Sequence, residues 1–126
     1  MTVGEAGVNE VDTATFSTRS RLTPSSIVVK MTGNADSAVL NGFKAFVDEV
    51  SEAAFRLRVR EAVFDLEELY FINSSCLAFL LRMVKRVLER PSEKYIIRFR
   101  SNPNQRWQAK SLNPIRVYAP EIVVIE

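Results

Sequence analysis

The chain has 126 residues, 47% of them hydrophobic and 25% charged, with a formal net charge of +2, which is enough for one compact core and too little for two ordinary domains. It has no histidine, which excludes Ser-His and Cys-His nucleophile pairs and histidine metal sites, and its scattered Gly4, Gly7, Gly33 and Gly42 exclude a glycine-rich nucleotide loop. No run approaches the roughly 20 apolar residues of a membrane span, Met1 to Asp12 has no apolar signal core, and Cys76 has no partner for an internal disulfide, so a cytoplasmic protein is expected, not an enzyme, with no cofactor or metal of its own.

Residues 1–13 mix Gly, Glu, Asn, Asp and Thr with few large apolar groups and read as a flexible lead-in to a single domain over 14–126. Thr15 to Arg21 reads as an edge strand and Ile27 to Met31 as a buried one. Thr23-Pro24-Ser25-Ser26 between them supplies the turn of a hairpin, because proline presets φ and the hydroxyls bond locally. Gly33-Asn34-Ala35-Asp36-Ser37 ends that strand and offers Asp36 or Ser37 as a helix cap. The first helix has Leu40, Phe43, Val47, Val50, Ala54 and Leu57 on one stripe. Its Asp48, Glu49 and Glu52 read as a solvated face, not an acid–base pair.

Ala62 to Leu66 is apolar apart from Asp65, as in a strand buried on both faces. It leads through Tyr70-Phe71-Ile72 into Asn73-Ser74-Ser75-Cys76 and a second helix from Ser74 to Glu89, with Leu77, Leu80, Leu81, Val84, Val87 and Leu88 as its core stripe. Pro91 stops it. Lys94 to Arg100 reads as a strand. Ser101-Asn102-Pro103 starts a short helix over Pro103 to Leu112, which Asn113-Pro114 breaks. Ile115 to Glu126 reads as extended, ending in a strand at Ile122 to Ile125. The order β-β-α-β-α-β-α-β predicts an α/β fold, a mixed sheet with helices packed on one side.

Charge is uneven along the chain. Residues 1–81 hold 7 Lys/Arg and 11 Asp/Glu, whereas residues 82–116 hold 10 and 2, a local net of +8. A solvated basic surface is the preferred reading. Binding of nucleic acid through Arg98, Arg100 or Arg106 is the rival, and no aromatic-interleaved or zinc-finger signature accompanies it.

The start of the second helix is the most informative segment. A helix's first turn has unpaired N–H groups and partial positive charge, so a serine there either caps the helix or holds a phosphate. Laid out this way, the chain resembles the STAS domain, the fold of bacterial anti-sigma factor antagonists, over roughly Ser26 to Val117. Gly33-Asn34-Ala35-Asp36 resembles the segment before that family's first helix. Asn73-Ser74-Ser75-Cys76-Leu77, preceded by Val63-Phe64-Asp65-Leu66, resembles its Asp-Ser-Ser-Gly-Leu opening of the second.

The resemblance implies a partner-switching regulator. The unmodified protein would bind an anti-sigma factor or related serine kinase with a histidine-kinase-like ATPase fold. Phosphorylation of Ser74, with Ser75 as second choice, would break the contact, and a metal-dependent serine/threonine phosphatase would restore it. Nucleotide and magnesium would belong to those partners. Asp36, Asn73, Ser75, Cys76, Phe79, Arg82 and Met83 are the expected partner contacts. Asn73 stands where the family usually has Asp, and Cys76 where Gly is usual. The alternative is an unphosphorylated STAS subunit of a larger assembly such as a transporter ATPase. The family commonly ends in a further helix over the sheet, whereas this chain stops soon after Ile122 to Ile125, so an open apolar sheet surface and a homodimer are also expected.

Overall fold

The computed structural model describes residues 2–4 and 6–126; Met1 and Glu5, both in the expected lead-in, lie outside the described residues. A short ribbon comes first, β1 (Thr2–Val3) antiparallel to β2 (Asn9–Glu10). The main sheet holds β3 (Phe16–Leu22), β4 (Ser26–Ala35), β5 (Glu61–Ile72), β6 (Ile96–Arg100) and β7 (Val123–Ile125), side by side in that order. β3 runs antiparallel to β4, and the other neighbours are parallel. Three helices make the parallel crossovers: α1 (Leu40–Arg56), α2 (Ser74–Leu88) and α3 (Arg106–Tyr118). Crossovers of one hand that always step the same way along a sheet leave their helices on one face. The expected mixed α/β architecture is the observed one.

Alternation along the strands separates the two faces. Ile27, Val29 and Met31 of β4, Ala62, Phe64 and Leu66 of β5, and Ile97 and Phe99 of β6 join the core with Phe43, Phe46 and Val50 of α1 and Leu80, Val84 and Val87 of α2. Some apolar sheet surface was expected to be left open, and the opposite face is where the helices leave the sheet bare. It is instead covered by long charged side chains: Lys30 pairs with Glu68 at 3.0 Å, and Arg98 reaches Glu61 and Glu126 at 3.2 Å each. Their alkyl stems shield the few apolar groups between them, so that Val28 and Val63 on this face are buried.

Several boundaries move for physical reasons. Of the expected lead-in, Ala6 and Val8 are buried in the core. Glu10 Oε2 accepts from the Ser20 N–H at 2.7 Å and the Val11 carbonyl accepts from Thr18 N, so this segment covers the outer edge of β3. β4 continues past Met31 to Ala35 because Gly33 takes φ +98, the left-handed region, opposite Phe16. A Cβ at Gly33 would lie 2.1 Å from the Thr15 carbonyl oxygen. Gly33→Ala is accordingly expected to cost at least about 2 kcal/mol in urea unfolding; a loss below the error of that measurement would remove this account of the β4 bend.

On α1, Phe46 and Ala53 are buried and Leu57, expected in the stripe, is 42% exposed. The third helix starts at Arg106, three residues late, because Asn102 Oδ1 accepts from Asn104 N and closes a turn first. It then runs through Pro114 to Tyr118, where extended chain was expected. Asn113 and Pro114 are exposed, while Leu112, Ile115 and Ala119 sink into the core and hold the helix together across the missing N–H. Only Val123–Ile125 of the final segment is a strand.

Candidate functional site

Both motifs singled out in the sequence meet at one end of the sheet. β4 and β5 stay paired to their last residues, Asn34 with Phe71 and Ala35 with Ile72, and the Asn73 N–H donates to the Ala35 carbonyl at 2.9 Å. Asp36, following Ala35, accepts from Ala38 N at 3.0 Å and caps the 3₁₀ turn Ser37–Val39 that leads into α1. Asn73 opens α2. Its extended backbone and Oδ1, which accepts from Cys76 N at 2.8 Å, satisfy the cap.

That assignment leaves the serines idle. Ser74 and Ser75 are the first two residues of α2, both are exposed, and neither hydroxyl is hydrogen-bonded among the described residues. Of the two readings that the sequence left open for Ser74, the cap belongs to Asn73. Asn in place of Asp keeps the capping bond and adds no carboxylate beside Asp36.

Cys76 and Met83, expected at a partner's contact, lie inside the protein at 0% and 1% exposure. The buried stripe of α2 is turned toward Cys76, Leu80, Met83, Val84 and Val87, and Leu77, Leu81 and Leu88 are only half-buried. The Cys76 side chain points into the core and leaves the first turn of the helix open, so it does not obstruct approach to the serines. Burial, with the Asp36 carboxylate adding to it, pushes the Cys76 thiol up to about 11, which keeps it neutral and unreactive.

Phe79 is half-buried, with the Arg82 guanidinium 5.0 Å from its ring centre. Arg82 also binds the Asp48 carboxylate at 2.9 and 3.2 Å, which Arg86 reaches at 3.1 Å and Lys44 at 3.3 Å. Arg82 is thus a clamp from α2 to α1 as well as a surface cation. Asp48, expected to be merely solvated, is the centre of that clamp. Burial raises its pKa, but hydrogen bonds from Arg82 and Lys44 and the nearby guanidinium charges outweigh this, leaving the carboxyl below its ordinary 3.8. A depressed carboxyl stabilises the fold above pH 4 and loses that contribution as pH falls through its folded value. Asp48→Asn should cost about 1 kcal/mol at pH 7, since the network is partly exposed. The difference from the parent should shrink below pH 4; a gap that stays constant to pH 2 would show that the charge is not responsible.

Two exposed residues beside the serines were not expected as site residues. Tyr70 is 53% and Phe71 47% exposed at the end of β5. Consecutive strand residues face opposite sides, so an aromatic pair there cannot both enter the core, and that was the available signal. β5 extends past its β6 partner by seven residues, from Leu66 to Ile72. Gln108 of α3 supports the extension: its Nε2 donates to the carbonyls of Leu66 and Leu69 at 2.7 and 2.9 Å, and its Oε1 accepts from Asn102 N at 2.7 Å. Asn102 Nδ2 also donates to the Glu67 carbonyl at 2.9 Å.

Among the described residues no helix is long and apolar enough to cross a membrane. No protein-family model and no curated protein matches the sequence. The structure, in contrast, is similar to several solved ones. An anti-sigma factor antagonist from Mycobacterium paratuberculosis superposes with a TM-score of 0.61 at 16% identity, over 86% of this chain and 85% of that one. The STAS domain of an antisigma-factor antagonist from Rhodobacter sphaeroides gives 0.51 at 18% identity, over 73% and 91%. The anti-sigma factor antagonist SpoIIAA in its unphosphorylated form gives 0.51 at 16% identity, over 86% and 87%. The fold of this chain is the STAS fold that these proteins share.

Proposed function

We propose that this chain is a partner-switching regulator of the anti-sigma factor antagonist kind. In its unmodified form it binds an anti-sigma factor or related serine kinase in the cytoplasm, and phosphorylation of Ser74 releases that partner until a phosphatase removes the group. The observation that carries this reading is the idle Ser74 hydroxyl: exposed, at the first position of a helix whose cap is supplied by Asn73. A phosphate there adds about −1.5 to −2 charge where the helix end tolerates it, and makes burial against a partner costly. One group thereby spares the fold and breaks the contact. Ser74, Ser75, Asp36, Asn73, Phe71 and the exposed edge of Phe79 form the contact surface. An exposed aromatic such as Phe71 is the kind of anchor that concentrates binding energy.

The test is phosphosite mapping by mass spectrometry on the protein captured from its own cells with its partners. Phosphate on Ser74, with a serine kinase retained only by the unmodified form, is the expected result. A Ser74 never modified under any growth condition, with a partner still stably bound, would overturn the switch and favour a constitutive binding subunit.

A further inference from the structure

Between α2 and α3 runs a groove of about 520 Å³. Leu77, Ala78 and Leu81 of α2 face Pro114, Ile115 and Tyr118 of α3 across it, and Ser74 and Lys110 line it too. Its surface is mostly apolar, but its borders are basic. Lys85 sits one turn beyond Leu81, its Nζ 5.7 Å from the centre of the Tyr118 ring. Arg106 stands one turn before Lys110 on the α3 stripe that continues through Pro114 to Tyr118.

Four cations of the basic region are already paired. Arg82 and Arg86 are engaged by Asp48, Arg90 by Glu93, and Arg98 by Glu61 and Glu126. Lys85, Arg106 and Lys110 form no ion pair among the described residues. Part of the excess of 10 Lys/Arg over 2 Asp/Glu in residues 82–116 is therefore left uncompensated along this groove; Lys94, Arg100 and Arg116, which also form no ion pair among the described residues, lie outside its lining.

We propose that the groove seats an amphipathic helix of the partner protein bearing acidic residues, and that a phosphate on Ser74 expels it; only the second half rests on the phosphoswitch reading above. A helix lying between two others presents apolar side chains at i, i+3 or i+4, and i+7. The apolar floor accepts that stripe, and carboxylates on its flanks meet Lys85, Arg106 and Lys110. Charge complementarity of this kind selects the partner and speeds its approach. Because Ser74 itself lines the groove, a phosphate on it would set like charge against the acidic helix. The groove thus couples modification to release.

The test places the photo-cross-linking residue p-benzoylphenylalanine at Tyr118, in the groove, or at Phe71, beside Ser74, and irradiates cells that make the full chain. Tyr118 is expected to capture a helical segment of another protein with net negative charge. Ala78→Trp, which fills the groove from an exposed position, should cut that yield at least tenfold with an unchanged melting temperature. Capture only at Phe71, or capture at Tyr118 of a basic segment, a lipid or a second copy of this chain, would overturn the groove proposal and leave the phosphoswitch standing. An acidic helix captured equally by the parent and by Ser74→Glu would keep the groove and overturn its control by phosphate. No capture at either position would overturn both.

Discussion

Replacing Gln108 with alanine is expected to cost about 3 to 5 kcal/mol, more than the loss of a helix cap or of a surface ion pair. Gln108 is fully buried, and each side of its amide is used: two carbonyls of β5 and one N–H of the Asn102 turn depend on it. Past Asp65, β5 has no strand on its β6 side, so those carbonyls have no ladder partner to fall back on. An unsatisfied buried backbone group costs about 1 to 3 kcal/mol, and alanine would leave two such carbonyls and a half-buried N–H, beside a cavity. Gln108→Met separates the two causes, since it keeps most of the volume and none of the hydrogen bonds. Denaturant unfolding should therefore show methionine recovering only a minor share of the loss. Hydrogen exchange should quicken over Leu66 to Asn73 before it does so in β4. A Gln108→Met protein within about 0.5 kcal/mol of the parent would mean that water replaces the amide, and that the end of β5 needs no such support.

The consequence reaches the candidate site, because β5 delivers Tyr70, Phe71 and Asn73 to their places. A loosened β5 end would disorder the surface beside Ser74 without touching it. Partner affinity in Gln108 variants should fall in step with protection of Leu66 to Asn73, and not with the helicity of α2.

Element order was legible because hydrophobic periodicity and turn chemistry agreed: Ile27 to Met31 and Ala62 to Leu66 could only be buried strands, and Asn73 could only begin a helix. What sequence left open was tertiary. The face of α2 is decided by where α1 and the sheet lie, and a rotation of about 60° between the expected stripe and the observed one moves Met83 from the margin to the core. Pro114 reads as a break unless Leu112, Ile115 and Ala119 are known to be held by a core on both sides of it. Gln108 carries no sequence signal at all: a glutamine in a short polar helix looks solvated until the strand end that it supports is in view. Val8 and Ala6 were missed because two small apolar groups in a polar stretch weigh little in composition, although a β3 edge needs only a short cover.

At the switch itself, adjacent residues should separate stability from binding. Asn73→Ala removes the one side-chain cap of α2 and should cost about 1 kcal/mol. Ser74→Ala removes an exposed hydroxyl with no bond to lose and should stay within about 0.5 kcal/mol of the parent. Ser74→Glu puts negative charge at the positive end of the helix, and should leave stability unchanged or raise it by about 0.3 to 1 kcal/mol. Binding should follow another order. Ser74→Ala keeps the partner's affinity, whereas Ser74→Glu lowers it about 100-fold, or roughly 2.7 kcal/mol, because the charge must be stripped of water as the surfaces close. Thermal unfolding and titration calorimetry with the captured partner on the same variants would check both orders. If Ser74→Glu weakened binding only as far as it weakened the fold, the charge would be acting through a damaged helix. If it left affinity unchanged in a stable protein, the first turn of α2 would lie outside the contact surface, and the idle hydroxyl would be no more than a solvated serine.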